Sequence, residues 1–144
     1  MAVTSKVNAV WHGKLKDGRG EFSAGSGAFK GAFTFATRFE GKPGTNPEEL
    51  LAAAHAACFS MALSGGLEKA GTPATRIATT AQCTMDMVSG VPTVTKMRLE
   101  VRGTVPGLDQ GRFVKAAEDA KQNCPVSRAL KGIPSVELVA TLEA

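Results

Sequence analysis

A chain of 144 residues is long enough to bury a sizeable core and short enough to form one domain. Apolar residues make up 43% and charged residues 21%, the balance of an ordinary soluble protein. The net charge of +4 comes from basic residues spread along the chain. With no Tyr and no basic run interleaved with aromatics, it reads as a mixed solvated surface rather than a nucleic-acid face.

The N-terminal MAVTSKVNAVWHG lacks the apolar stretch of a signal peptide, and no later segment reads as transmembrane, so a cytoplasmic protein is expected. Three widely spaced cysteines, Cys58, Cys83 and Cys124, contain no CxxC pair, which excludes a thioredoxin-type motif and a zinc ribbon. A permanent disulfide framework is not expected in a reducing compartment, whereas reactive cysteines are compatible with it.

In chain order, residues 3 to 36 read as three strands. Val3 to Trp11 comes first, with Asp17-Gly18 as the best turn signal after it. Glu21 to Ala24 and Ala28 to Ala36 follow, separated by Gly25-Ser26-Gly27. The third strand carries Phe29, Phe33 and Phe35 and is expected to pack against something large. Thr37 to Gly44 reads as a charged loop with Arg38, Glu40 and Lys42.

A central helix then begins. Thr45 or Asn46 can cap it, Pro47 suits its first position, and Glu48 and Glu49 favour its positive end. From Leu50 to Leu63 the run is apolar almost all round, broken by His55 and Ser60. Such a helix must be buried on every face, and about 14 residues is too short to span a bilayer, so protein must cover it. Gly65-Gly66 or Gly71, with Pro73 beyond, marks its end.

Ile77 to Met87 alternates, with Ile77, Ala81, Cys83, Met85 and Met87 on one face. After a Ser89-Gly90 turn, Met97, Leu99 and Val101 alternate with Lys96, Arg98, Glu100 and Arg102. That pattern predicts an antiparallel hairpin with one buried face. Asp109 can cap a second helix to about Lys121 with Phe113, Val114, Ala117 and Ala120 inward. Asn123-Cys124-Pro125 leads into a short helix, VSRALK, and Val136, Leu138, Ala140 and Leu142 alternate in a last strand. The order βββ-α-ββ-α-α-β is α+β.

Six residues could carry chemistry. Cys83 falls on the apolar face of its strand, where a thiol behaves as a small hydrophobe. Cys58 sits mid-helix among apolar residues and is filler or reagent. Cys124 precedes Pro125 and a helix, a cap position where unpaired N–H groups favour a thiolate. His55, three residues before Cys58, shares its helix face. That spacing leaves open a Cys–His nucleophile, a partial metal site with Cys124, and a merely structural histidine. Glu48 and Arg38 are either a first-turn carboxylate and a loop charge or members of a site. Two cysteines far apart in sequence form a redox pair if the fold brings them together.

TRFEGKPGTNPEELLAAAHAACFSMALS, from Thr37 to Ser64, resembles the osmotically inducible protein C (OsmC) branch of the OsmC and organic hydroperoxide resistance (Ohr) family. NCPVSRAL, from Asn123 to Leu130, resembles that family's second-cysteine motif. The resemblance covers nearly the whole chain, and the two motifs together are highly specific. It implies an OsmC-like fold, with a long buried central helix packed with antiparallel sheets in an intertwined homodimer. It also implies a thiol peroxidase that reduces organic hydroperoxides, and hydrogen peroxide less efficiently.

Carried over by position, Cys58 matches the peroxidatic cysteine and Cys124 the resolving one; Arg38 matches the activating arginine and Glu48 the acidic residue that holds it. His55 is outside that set. No cofactor or metal is implied, and the expected reductant is a dithiol, a lipoyl-bearing protein rather than thioredoxin. Glu48 and Cys58 stand roughly 15 Å apart along a continuous helix. If Glu48 positions Arg38 beside Cys58, both come from a second subunit across a two-fold axis. The rival readings are a Cys58–His55 thiol hydrolase and a dimeric module that binds an apolar ligand.

Overall fold

The computed structural model describes residues 1–143 and divides into two compact units, the first closing at Leu50 and the second starting at Leu51. In the first unit β1 (Val7–His12), β2 (Arg19–Ala24) and β3 (Lys30–Phe33) form an antiparallel sheet in that order. The three expected strands are present, but the first starts at Val7 rather than Val3 and the third is far shorter than Ala28 to Ala36. The cause is local. Thr34 accepts from the backbone N–H of Thr37, and the Thr37 hydroxyl accepts from that of Thr34. This reciprocal cap ends the strand and starts a single helical turn, α1 (Phe35–Phe39). Arg38 therefore rides on a helix where the sequence reads as a loop.

The aromatic residues also divide. Phe33 lies 5.6 Å from Trp11 and 5.9 Å from Phe22, while Phe35 packs on Phe39 at 4.8 Å, and Phe29 is exposed. Gly31 makes room for the Phe22 ring, which a Cβ there would meet at 2.6 Å.

Helix α2 (Pro47–Lys69) is capped by Asn46, whose side chain accepts from the Glu49 N–H at 2.8 Å. It runs through Gly65-Gly66 and stops at the alternative end, before Gly71 at φ 85°, with Thr72 N–H bonding back to the Leu67 carbonyl. At 23 residues it is long and apolar enough to cross a membrane by length and composition, longer than its apolar run suggested. One of its faces packs into the core. His55, Phe59, Leu63 and Leu67, spaced every fourth residue, are all buried. The opposite face, including Ala53, Ala54, Ala57 and Met61, is exposed in the single chain, with Met61 at 78%. The chain itself thus meets the expectation of all-round burial on one face only.

In the second unit β4 (Arg76–Val88) and β5 (Val91–Thr104) pair antiparallel through a turn in which Ser89 (φ 50°) and Gly90 (φ 78°) both take left-handed backbone. That is the twist a two-residue hairpin needs. Met97, Leu99 and Val101 are fully buried, as their alternation predicts. The last strand, β6 (Ser135–Glu143), lies parallel to β5 at the edge of the sheet. A parallel neighbour needs a crossover, supplied by α3 (Gln110–Asn123) and α4 (Pro125–Ala129). Asp109 caps α3, and Phe113 closes over Gly103, where a Cβ would stand 2.5 Å from its ring. Phe59, Leu63, Leu67, Leu99, Val101, Phe113 and Ala117 make one core. The architecture is α+β, with one more helical turn than the sequence pattern indicates.

Candidate active site

Cys124 ends α3 and caps α4, with Pro125 at the first helical position, where a missing N–H costs nothing. The next two N–H groups have no intrahelical partner. Val126 donates its N–H to the Cys58 sulfur, and Ser127 donates its own to Cys124 Sγ at 3.3 Å. The CPVS sequence thus turns two orphan donors toward two sulfurs. Cys58, reaching over from α2, is hydrogen-bonded to Cys124. The two thiols, far apart in sequence, meet.

Cys124 is 1% exposed and Cys58 is half-buried. Burial pushes the Cys58 thiol up from its ordinary value, and the hydrogen bond and charge of Cys124 push the same way; the Val126 N–H opposes them. The chain's immediate surroundings of Cys58 therefore favour the thiol, and a thiolate there calls for a cation.

His55 is fully buried on the same face of α2, one turn before Cys58. Its Nε2 lies 2.8 Å from Ser127 Oγ, and Ser127 Oγ accepts from Cys124 Sγ at 3.0 Å. Burial lowers the His55 pKa. Its other ring nitrogen, Nδ1, has no hydrogen-bond partner among the described residues. Ser127 was not singled out by the sequence reading. The available signal was its place three residues after a cap, where its N–H faces the capping atom.

Within the first unit, Arg38 and Glu48 form the pair the resemblance implied. Arg38 Nη2 donates to Glu48 Oε1 at 2.7 Å and Nε donates to both carboxylate oxygens at 3.1 and 3.3 Å. Glu48 is 7% exposed, and the guanidinium also lies over the Phe39 ring at 5.4 Å. A forked, charge-assisted contact of this kind fixes the guanidinium plane as well as its position. Cys83 stays on β4, half-buried, opposite Met97.

A cleft of about 450 Å³ opens beside Cys124, with Ala62, Leu67, Leu108, Ala116 and Ala120 among its walls and Arg112, Lys115 and Asp119 also lining it. A mainly apolar wall suits a ligand with a hydrocarbon body and few polar atoms.

The family model described as OsmC-like protein matches residues 39–139, across both units. The chain is 47% identical over 132 residues to "Peroxiredoxin OsmC" of Escherichia coli (strain K12), covering 91% of this chain and 92% of that one. It is 34% identical over 101 residues to "Organic hydroperoxide resistance protein" of Xanthomonas axonopodis pv. citri, covering 68% of each. Among solved structures it superposes on the organic hydroperoxide resistance protein OhrB of Bacillus subtilis with a TM-score of 0.71 over 98% of both chains; at 24% identity, that likeness speaks for the fold.

Proposed function

The chain belongs to the OsmC-like protein family, and on that premise we propose that it is a cysteine peroxidase in which Cys58 reduces organic hydroperoxides and Cys124 resolves the product. The role is defence against hydroperoxide stress, as the names of its relatives indicate. The observation that carries the residue assignment is the hydrogen bond between Cys58 and Cys124.

The Cys58 thiolate attacks the distal peroxide oxygen, the O–O bond breaks, and the alkoxide leaves as alcohol, with Cys58 as sulfenic acid. Cys124 then displaces hydroxide from that sulfur, giving water and a Cys58–Cys124 disulfide. A dithiol returns the enzyme to its starting state; a lipoyl-bearing protein is the expected donor. An apolar pocket at Cys58 would favour an alkyl or fatty-acid hydroperoxide over the small, polar hydrogen peroxide.

The thiolate needs a cation, and Arg38, held by Glu48, is that cation. Glu48 and Cys58 sit ten residues apart on α2, roughly 15 Å of helix rise, so the pair serves the partner subunit's Cys58. An isologous dimer formed through the exposed face of α2, with two equivalent sites, follows. The cytoplasm, where reduced dithiols are maintained, is the expected compartment.

Mass spectrometry after one equivalent of cumene hydroperoxide tests the reading. The expected product has lost two hydrogens and carries a Cys58–Cys124 crosslink, with Cys83 untouched. An unchanged mass with both thiols still alkylatable would overturn it and favour an apolar-ligand module.

A further inference from the structure

A fully buried histidine that the peroxidase chemistry does not use stands at the end of a hydrogen-bonded line to one of its cysteines. We propose that His55, acting through the Ser127 hydroxyl, is the proton acceptor that activates Cys124 to resolve the oxidised Cys58. The inference rests on the peroxidase reading and extends it.

The relay corresponds to one assignment of the proton positions. Cys124 S–H donates to Ser127 Oγ at 3.0 Å, and the Ser127 backbone N–H donates to Cys124 Sγ at 3.3 Å. The Ser127 oxygen can accept twice, so the 2.8 Å contact to His55 Nε2 is compatible with either tautomer; the relay takes the one in which the serine's own proton points to His55 Nε2. The ring is then the tautomer with its hydrogen on Nδ1, and Nε2 is a free base toward serine. Burial lowers the His55 pKa and keeps the ring neutral, the state in which it can accept.

A purely structural role fits this histidine poorly. The ring is 0% exposed, and its Nδ1 has no partner among the described residues. A buried unpaired polar nitrogen is a cost that an apolar side chain of similar size would avoid. What the imidazole offers in exchange, and such a side chain does not, is a proton acceptor within reach of Cys124.

The step balances as follows. As Cys124 Sγ moves onto the Cys58 sulfur, its proton passes to Ser127 Oγ while the serine proton passes to His55 Nε2. The S–S bond forms, the S–OH bond of Cys58 sulfenic acid breaks, the Cys124 sulfur is oxidised and the Cys58 sulfur reduced. The leaving hydroxide recovers the proton by the reverse path, through Ser127, and departs as water. His55 begins and ends neutral. It touches neither peroxide nor sulfur, so it is a positioning residue and proton store, not a catalytic residue in contact with substrate.

The variants His55→Gln and Ser127→Ala, with Ser127→Thr as the conservative control, test this in the full-length protein. Gln can hydrogen-bond Ser127 but cannot take up a proton. After one equivalent of cumene hydroperoxide, dimedone capture reports the Cys58 sulfenic acid and quenched alkylation reports the disulfide. In His55→Gln and Ser127→Ala, disulfide formation is expected to slow roughly 100-fold relative to peroxide consumption, the scale of a lost acid–base group, with sulfenic acid accumulating. Ser127→Thr is expected to restore it. Wild type is expected to show a solvent deuterium isotope effect on disulfide formation that Ser127→Ala loses; a packing role would produce neither the rescue nor the isotope signature.

Disulfide formation at the wild-type rate in both His55→Gln and Ser127→Ala would overturn the relay and leave the peroxidase reading standing. Absence of any disulfide in wild type would overturn both. If His55→Gln fails to fold, the half-buried Ser127 pair of variants decides the matter alone.

Discussion

The reach of helix α2 yields a prediction about which subunit serves which cysteine. Arg38 is tied to Glu48 by three contacts of 2.7 to 3.3 Å. Glu48 and Cys58 share a helix and stand ten positions apart, so roughly 15 Å of rise separates them. A dimer of Arg38→Ala has no activating cation, and one of Cys58→Ser has no nucleophile. The first is expected to lose about 100-fold or more in peroxide turnover, the second all of it.

In a heterodimer of the two, one site combines the Cys58 of the Arg38→Ala chain with the Arg38 of the Cys58→Ser chain, and is intact. The other site lacks both. A heterodimer isolated through two different affinity tags should therefore recover about half of wild-type activity, and an unsorted equal mixture about a quarter. The assay is cumene hydroperoxide reduction with a lipoyl dithiol. Thermal melts of each homodimer check the fold, because Arg38→Ala leaves the buried Glu48 carboxylate unpaired at a cost of about 1–3 kcal/mol. A pure heterodimer no more active than its parents would refute the reasoning, since a site built within one chain gives no complementation.

Two further predictions concern stability. Because folding lowers the His55 pKa from its ordinary 6.5, the unfolded chain binds the extra proton below that pH. This contribution is complete above 6.5 and declines as the pH falls through the lowered value, by at most about 1.4 kcal/mol per pH unit. Urea unfolding near pH 5 and pH 7.5 should show that decline in wild type and a shallower one in His55→Gln; equal slopes would contradict it. Gly103→Ala puts a methyl 2.5 Å from the buried Phe113 ring and should cost about 1–3 kcal/mol in urea unfolding, and a stability equal to wild type would mean that α3 shifts freely on the sheet.

The hairpin of β4 and β5, the Asp109 cap, the Asn46 cap and the helix start at Cys124-Pro125 were all legible, because each depends on residues within one turn or one strand pair. The strand that shortened most, β3, did so for an equally local reason. The reciprocal Thr34–Thr37 cap is a threonine pair at a spacing that also suits a strand, so alternation masked it.

The sequence alone determined the order of every element except the single turn α1, together with the candidate reactive types: two cysteines in specific motifs, an arginine and a carboxylate. These follow from short-range physics, in which caps, turns and periodicity act on neighbouring residues. What the tertiary structure alone decided was which of those groups touch. The parallel placement of β6 requires the α3–α4 crossover over the sheet, and in the same fold α4 presents Cys124 and Val126 to Cys58. The His55–Ser127 bond joins residues 72 positions apart, and no local pattern records such a contact. It exists because one buried face of α2 and one short helix are packed into the same core.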